Sequence, residues 1–310
     1  MMHFLKSVIL ICLFILPLFA FAWNIPGHMV TGAIAYRELK KQDPKSLSRI
    51  IALLKKHPQY DQMFAPKLNQ ENLSEEEKDL YLFMLAARWP DDIKRTDYEP
   101  KHDNWHYINY PFTSANASVP VSEPDTANII SAYRQNMNIV KSNAADEEKA
   151  IALCWIFHLI GDIHQPLHTV KFFSNDLPAP AGDKGGNALF IKVEEGGKPL
   201  NLHSFWDGLV LGSQELREAD NRAVLLKNQK VYKRKRLKGL KDRNFENWAK
   251  NESFELAKKY GYQEGNLSAS TNREEAPVVP HAYVSIAKSI AEERVVLAGY
   301  RIADTLKELF

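Results

Sequence analysis

An all-α fold, one helical domain with a short β-hairpin excursion, is what the sequence predicts. Three observations lead there. Apolar residues recur at helical spacing along most of the chain. Strand-like patterning is confined to one short stretch, and no repeat or second composition regime divides the 310 residues. Hydrophobic content of 45% and charged content of 25% are those of an ordinary globular protein, which excludes disorder, collagen-like repeats and a multi-span membrane protein. Lys and Arg number 40 against 38 Asp and Glu, a formal charge of +2. No whole-protein field therefore recruits nucleic acid or anionic lipid, and any phosphate chemistry must come from a local site.

The elements follow in order. Met1 to Lys6 is a short positive segment, Val8 to Leu16 is apolar throughout, and Pro17 leads into Ala20-Phe21-Ala22, a small-x-small cleavage pattern. The apolar run is far short of the ~20 residues that span a bilayer. Residues 1–22 therefore read as a signal peptide, with export to the periplasm or outside the cell, no membrane anchor, and one domain over 23–310. Only Cys154 then remains, so no intramolecular disulfide is expected. Pro26 suits a first helical turn, followed by Met29, Ile34 and Leu39. Ser74-x-x-Glu77 reads as a capping box opening a helix through Leu80, Met84 and Ala87. Ile129, Ile130, Tyr133, Met137 and Val140 make another stripe. A helix beginning at Asp146 is apolar on nearly all sides from Ala150 to Ile163, which marks it as central and buried, and it must stop near Pro166. Prolines and glycines crowd the segment from Ser174 to Pro199, where Ala188 to Val193 is expected to pair across Glu195-Gly196-Gly197. A last helix is predicted from Val284 to Leu309, with Ile286, Ile290, Leu297, Ile302 and Leu306 inward.

The informative chemistry lies in the histidines. His158 and Asp162 stand i, i+4 on one face of the central helix, within Cys154-Trp-Ile-Phe-His-Leu-Ile-Gly-Asp162. An ionised carboxylate in such surroundings is costly unless paired or metal-bound. His168 follows beyond Pro166, and His203 and Asp207 repeat the i, i+4 pair. One such pair is equally well a buried His–Asp hydrogen bond; two pairs plus His168 favour a zinc or manganese site.

These residues carry a resemblance. Trp23 with Gly27-His28, Trp89-Pro90-Asp91, Trp105-His106-Tyr107-Ile108-Asn109, His158-x-x-Gly161-Asp162-x-x-Gln165-Pro166-Leu167-His168, Asp183-x-Gly185-Gly186-Asn187 and Asn201-Leu202-His203-x-x-Trp206-Asp207 occur in the order found in S1/P1 nucleases and the related zinc phospholipases C. The chain resembles that family, and the resemblance implies a helical domain of the phospholipase C/P1 nuclease type holding three zinc ions. One zinc would take Asp91, His106, His158 and Asp162. The second would take the α-amine and carbonyl of Trp23, His28 and a bridging Asp162, and the third His168, His203 and Asp207. An α-amine of pKa ~7.7–8.0 yields its proton readily to zinc, and the Trp23 amine exists only once the leader is cut, which couples export to activation.

Asp91 and Asp162 with Lys94, matching the family's basic residue near the phosphate, are the expected catalytic residues. A solvated surface lysine is the other reading of Lys94. Tyr107 and Asn109 match base-binding positions, where the family often has Phe and Asp. The implied activity is hydrolysis of single-stranded DNA and RNA to 5′-phosphorylated products, with 3′-nucleotidase activity, by a monomer needing no protein partner. A phospholipase C acting on phosphatidylcholine is the alternative. It tends to place Glu where this chain has Asp207, and the Tyr107–Asn109 match favours a nucleotide pocket. A zinc protein without turnover is the second alternative, and it would leave no open coordination position. His102 and His164 are expected to support the site rather than ligate, and Asp91 is chosen over Asp92 by the Trp-x-Asp match. The basic run from Lys230 to Lys241 reads as a solvated face or loop, with a nucleic-acid track as its alternative.

Overall fold

The structure is a computed structural model describing residues 24–70, 72–210 and 212–310. The predicted signal peptide and Trp23 lie outside the described residues. Helix accounts for 61% and strand for 5%, so the protein is mostly helical.

Helix α1 (Ile25–Gln42) starts where the Asn24 side chain accepts from the Gly27 amide, with Pro26 in the first turn. Asp43 ends it and caps α2 (Pro44–Leu54) through the Ser46 amide. After the short α3 (Ala65–Leu68) comes α4 (Glu75–Asp92), opened by the reciprocal Ser74–Glu77 capping box. Strand β1 (Tyr110–Thr113) precedes α5 (Ile129–Lys141), which Asn128 caps, and α6 (Asp146–Asp162). From Ala152 to Asp162 every α6 residue is buried, as the all-round apolar pattern requires. It packs against α2, α4, α5 and the C-terminal helix (His281–Leu309), while α1 lies among α4, that helix and the helix Leu216–Asn228.

Past the helix end, Pro166–Thr169 forms a 3₁₀ turn leading into β2 (Val170–Phe173), which pairs in parallel with β1, Tyr110 opposite Val170. The expected hairpin is present but brief: β3 (Phe190–Ile191) and β4 (Leu200–Asn201) pair antiparallel. Helices α7 (Leu202–Asp207) and α8 (Leu216–Asn228) follow. Then α9 (Phe245–Asn247) and α10 (Phe254–Leu256) belong to one winding, with π-type turns, that runs to Gly261. The last helix, α11 (His281–Leu309), begins three residues before its predicted start.

One inward residue is corrected. Ile286 is 48% exposed, because Tyr283, Ala287 and Ala291 form the core-facing line of that part of α11. The β1–β2 pair was not foreseen, since Tyr110-Pro-Phe-Thr is short and holds a proline. The basic run is three separate 3₁₀ turns, within which Arg234 pairs with Asp304 and Glu38.

Candidate metal centre

Three helices and a 3₁₀ turn deliver buried donor atoms to one region. His28 comes from the first turn of α1, Asp91 from the last turn of α4, and His158 and Asp162 from one face of α6; His106 ends the 3₁₀ turn Asp103–His106. All five are essentially without solvent exposure. His158 Nδ1 donates to the Ala87 carbonyl at 2.8 Å, which leaves Nε2 with its lone pair. That Nε2 lies 2.9 Å from His106 Nδ1, 3.0 Å from Asp162 Oδ2 and 3.7 Å from Asp91 Oδ1. His106 Nδ1 is itself 2.9 Å from Asp162 Oδ2 and 3.9 Å from Asp91 Oδ1. A tetrahedral ion bonded at ~2.0–2.1 Å has donors about 3.3 Å apart, and these separations bracket that value. The donor set fits a zinc-sized cation.

Asp162 faces two ways. Its other oxygen, Oδ1, lies 3.2 Å from His28 Nε2, and Asp91 Oδ2 approaches the same nitrogen at 3.9 Å. The His28 ring stacks on His158 with centroids 4.0 Å apart. A Cβ on Gly161 would fall 2.8 Å from His28 Nδ1, so the α1–α6 contact here admits only glycine.

The remaining donors stand on the 3₁₀ turn Pro166–Thr169 and the short helix Leu202–Asp207. His168 Nδ1 donates to the His106 carbonyl and His203 Nδ1 to the Gly185 carbonyl, each at 2.7 Å, which fixes both Nε2 atoms as acceptors. Gln165 Nε2 holds Asp207 Oδ1 at 2.7 Å and leaves Oδ2 3.5 Å from His203 Nε2. Among the described residues, three groups have donor spacing able to hold a metal ion: His28–Asp91–His158, His106–His158–Asp162 and His168–His203–Asp207. Most of the buried side-chain polar atoms without a hydrogen-bond partner are also here, on His28, Asp91, His106, Asp162, His168 and Asp207. Buried polar atoms are otherwise almost always paired. Unpaired atoms that converge call for a cation.

Electrostatics agree. Burial pushes His106 and His203 down to about 3 and lowers His28 and His168, so these imidazoles are neutral at pH 7. A neutral imidazole is the metal-binding form. Burial opposes ionisation of Asp91 and Asp162 as well, but Lys94 and the imidazoles near Asp91, and His158 and His168 near Asp162, outweigh it and keep both carboxylates well below their usual range. At Asp207 burial, with the nearby Asp162 and Asp91 carboxylates adding to it, outweighs the Gln165 hydrogen bond and Lys94 and drives the carboxyl well above its usual range.

The groups lie beneath an open cavity of about 780 Å³ whose lining includes Lys94, His106, Tyr107, Asn109, His168 and His203. Lys94 Nζ reaches Asp91 Oδ1 at 2.9 Å, and that carboxylate keeps it charged against the cost of burial; it is not a solvated surface lysine. Tyr107 is 37% exposed on the cavity wall. Its backbone is pinned by Ile129 N on Tyr107 O (3.0 Å) and by the neighbouring Ile108 N on His168 O (2.8 Å).

Other expectations resolve by geometry. Asp92 is engaged twice by Arg88 and is turned away from the cluster. His164 donates to Ile160 O and accepts from Arg301, and His102 stacks on Trp105; neither joins a metal group. Gln165 and Asp183 stand in the sequence motifs, and the structure gives each a positioning contact. Gln165 fixes Asp207, and Asp183 ties the Gly185 loop to β2 by accepting from Phe172 N and Gly185 N. The placement of polar Gln165 and Asp183 inside the two glycine- and histidine-bearing runs was the available signal.

Buried imidazoles and carboxylates gathered beneath an open cavity in a mostly helical fold define a metal-binding type of site. The chain matches the S1/P1 Nuclease family over residues 23–310 and belongs to it. It is 25% identical to Endonuclease 5 of Arabidopsis thaliana over 72% of this chain and 76% of that protein. It is 26% identical to Endonuclease 3 of the same plant over 73% and 76%. With Nuclease S1 of Aspergillus oryzae it shares 30% identity over 44% of each chain. The protein is a nuclease.

Proposed function

We propose that the protein is an exported, monomeric tri-zinc phosphodiesterase that hydrolyses single-stranded DNA and RNA to 5′-phosphorylated products and also acts on 3′-nucleotides. The observation that carries this reading is the convergence of unpartnered buried donor atoms at the floor of a cavity walled by Tyr107, Asn109 and Lys94. Asp91, His106, His158 and Asp162 would hold one zinc, and His168, His203 and Asp207 another. His28 and Asp162 would hold the third with the Trp23 amine and carbonyl, freed by cleavage after Ala22. Bound zinc supplies a water that ionises near neutral pH and positive charge against the phosphate.

The chain's own groups do the rest. Lys94, charged and held by Asp91, adds a cation for the anionic transition state. Tyr107 gives an unpaired base a stacking face, worth about 1–3 kcal/mol and indifferent to which base it is. Asn109 offers amide donors and acceptors to the base edge. Duplexed bases do not expose those faces, which selects single strands.

The test is hydrolysis of single-stranded DNA by zinc-loaded protein starting at Trp23, with and without a chelator. Chelator-sensitive cleavage leaving 5′-phosphate ends is expected. Absence of cleavage in a sample that holds its zinc overturns the reading, and turnover of phosphatidylcholine by that sample would replace it with the phospholipase.

A further inference from the structure

The cavity above the metal groups is lined by charges of both signs: Asp103 and Asp125, and Lys94, Lys101, Lys171 and Lys184. Asp103 and Asp125 lie at its Tyr107 end, near enough to add to the burial that raises the Tyr107 hydroxyl. Lys171 and Lys184 line it with His168, Gly185 and His203. We propose that Lys171 and Lys184 form a phosphate subsite that binds the backbone phosphate next to the scissile one, on the side away from Tyr107. This inference rests on the nuclease reading above and assigns a polymer preference to that site.

Two elements bring these lysines together. On β2, Val170 and Phe172 are buried on one face; Lys171, on the other face with buried Phe173, is half-buried and lines the cavity. The loop after β2 folds back on it: Asp183 N donates to Phe172 O at 2.9 Å, and Phe172 N donates to Asp183 Oδ1 at 2.8 Å. That return sets Gly182 (φ +58°) against the Lys171 stem, where a Cβ would fall 3.0 Å from Lys171 Cγ. Lys184 follows two residues later on the same rim. Lys171 Nζ is steadied by Ser122 Oγ at 3.2 Å and lies 5.9 Å from the Phe173 ring centroid, and neither it nor Lys184 pairs with a carboxylate among the described residues.

Lys184 carries a second signal. Its φ is +56°, in the left-handed region that costs a residue with a Cβ, and it sits in a loop where Gly182, Gly185 and Gly186 also have positive φ. Glycine would relieve that position, yet the chain keeps a lysine at the cavity rim. Strain held at a ligand-facing position is a pointer to function. The lining then orders a strand: a neutral base against Tyr107, the scissile phosphate over the metal groups and beside Lys94, the next phosphate between Lys171 and Lys184. A 3′-mononucleotide or a phospholipid has no second backbone phosphate to place there.

The experiment uses the zinc-loaded protein from Trp23 and its Lys171→Gln/Lys184→Gln variant. Binding is read by fluorescence anisotropy with a labelled phosphorothioate oligodeoxythymidylate, which keeps the backbone charge and resists hydrolysis. The expected loss is about tenfold in affinity at low salt, with the slope of log K against log salt reduced by about 0.7 for each lysine. Turnover is read in parallel, and KM should rise several-fold more for an oligonucleotide than for a 3′-mononucleotide. Unchanged affinity and salt slope, or an equal KM rise for both substrates, overturns the subsite. Lysine-dependent binding by a wild-type protein that hydrolyses neither substrate overturns the phosphodiesterase reading and leaves the subsite standing. Lys184→Gly separates strain from function: it should raise Tm while weakening oligonucleotide binding, and a lowered Tm with unchanged binding overturns the role given to Lys184.

Discussion

His158 and Asp162 share one face of α6 and meet His28 from α1 and Asp91 from α4, whereas His168, His203 and Asp207 stand on a 3₁₀ turn and a six-residue helix. The first set is oriented chiefly by helix packing: burial from Ala152 to Asp162 leaves α6 a single placement, and the donors follow. In the second, each donor side chain is aimed by one hydrogen bond from distant chain, namely His106 O for His168, Gly185 O for His203 and Gln165 for Asp207. Charge differs in the same sense. Asp91 and Asp162 are held ionised by neighbouring cations and imidazoles, while Asp207 is driven toward its neutral form by burial. Rigid packing and pre-ionised carboxylates favour tight metal retention; single-bond positioning and a carboxylate that must lose a proton favour exchange. The loop-built group should be the first to give up its ion.

The largest break is Asp162→Ala, which takes one oxygen from each of two neighbouring groups. Activity on single-stranded DNA should fall by at least roughly 10³-fold, with zinc content by elemental analysis reduced by more than one equivalent. A loss confined to one equivalent would show that Asp162 serves one group only. Gln165→Leu acts on the other half. It frees Asp207 Oδ1 and should weaken metal binding by about 10–100-fold at that group alone. Titration with a chelator would then release one ion early and leave the rest bound. Uniform release would erase the distinction between the two halves.

How much of this was legible follows the same division. The i, i+4 spacing of His158 and Asp162 on an all-apolar helix is a local pattern, and so are the Ser74–Glu77 box and the Pro26 start. All are visible because helical periodicity ties sequence distance to side-chain direction. The hydrogen bond from Phe172 N to Asp183, the parallel β1–β2 pair and the cavity rim of Lys171 and Lys184 join residues through long-range backbone contacts. No short-range pattern encodes those. Ile286 marks the other limit: on a helix whose first turns meet the core along Tyr283, Ala287 and Ala291, an apolar residue one position off the line faces water. The ligand sets themselves came from resemblance rather than spacing, and Trp23 stays with that resemblance.

Smaller effects sharpen the comparison at the substrate. Tyr107→Ala removes the exposed stacking face without touching a donor atom, and should cost about 1–3 kcal/mol of base binding. That is roughly a tenfold rise in KM on single-stranded DNA, with zinc content unchanged. A collapse in kcat with little change in KM would place Tyr107 at the reaction rather than at the base.

The smallest effect on turnover, and the most selective for the loop-built half, is expected from Asp183→Asn. Asp183 accepts from Phe172 N, Gly185 N and the Tyr262 hydroxyl, and burial raises its carboxyl to about 6 despite those donors. The folded chain thus holds a proton that the unfolded chain, titrating near the ordinary aspartate value of 3.8, has already lost. Stability therefore falls as pH rises between those two values and levels off above about 6. The gap between them is worth about 3 kcal/mol, as an order of magnitude. Asparagine carries no such proton. Measured by urea unfolding, the difference between variant and wild type should move in the variant's favour from pH 4 to pH 6 and stay constant above. A flat difference would mean that Asp183 is ionised throughout and that the loop carrying Gly185, and with it His203, is held by a charge. The two halves of the centre would then rest on the same kind of electrostatic support.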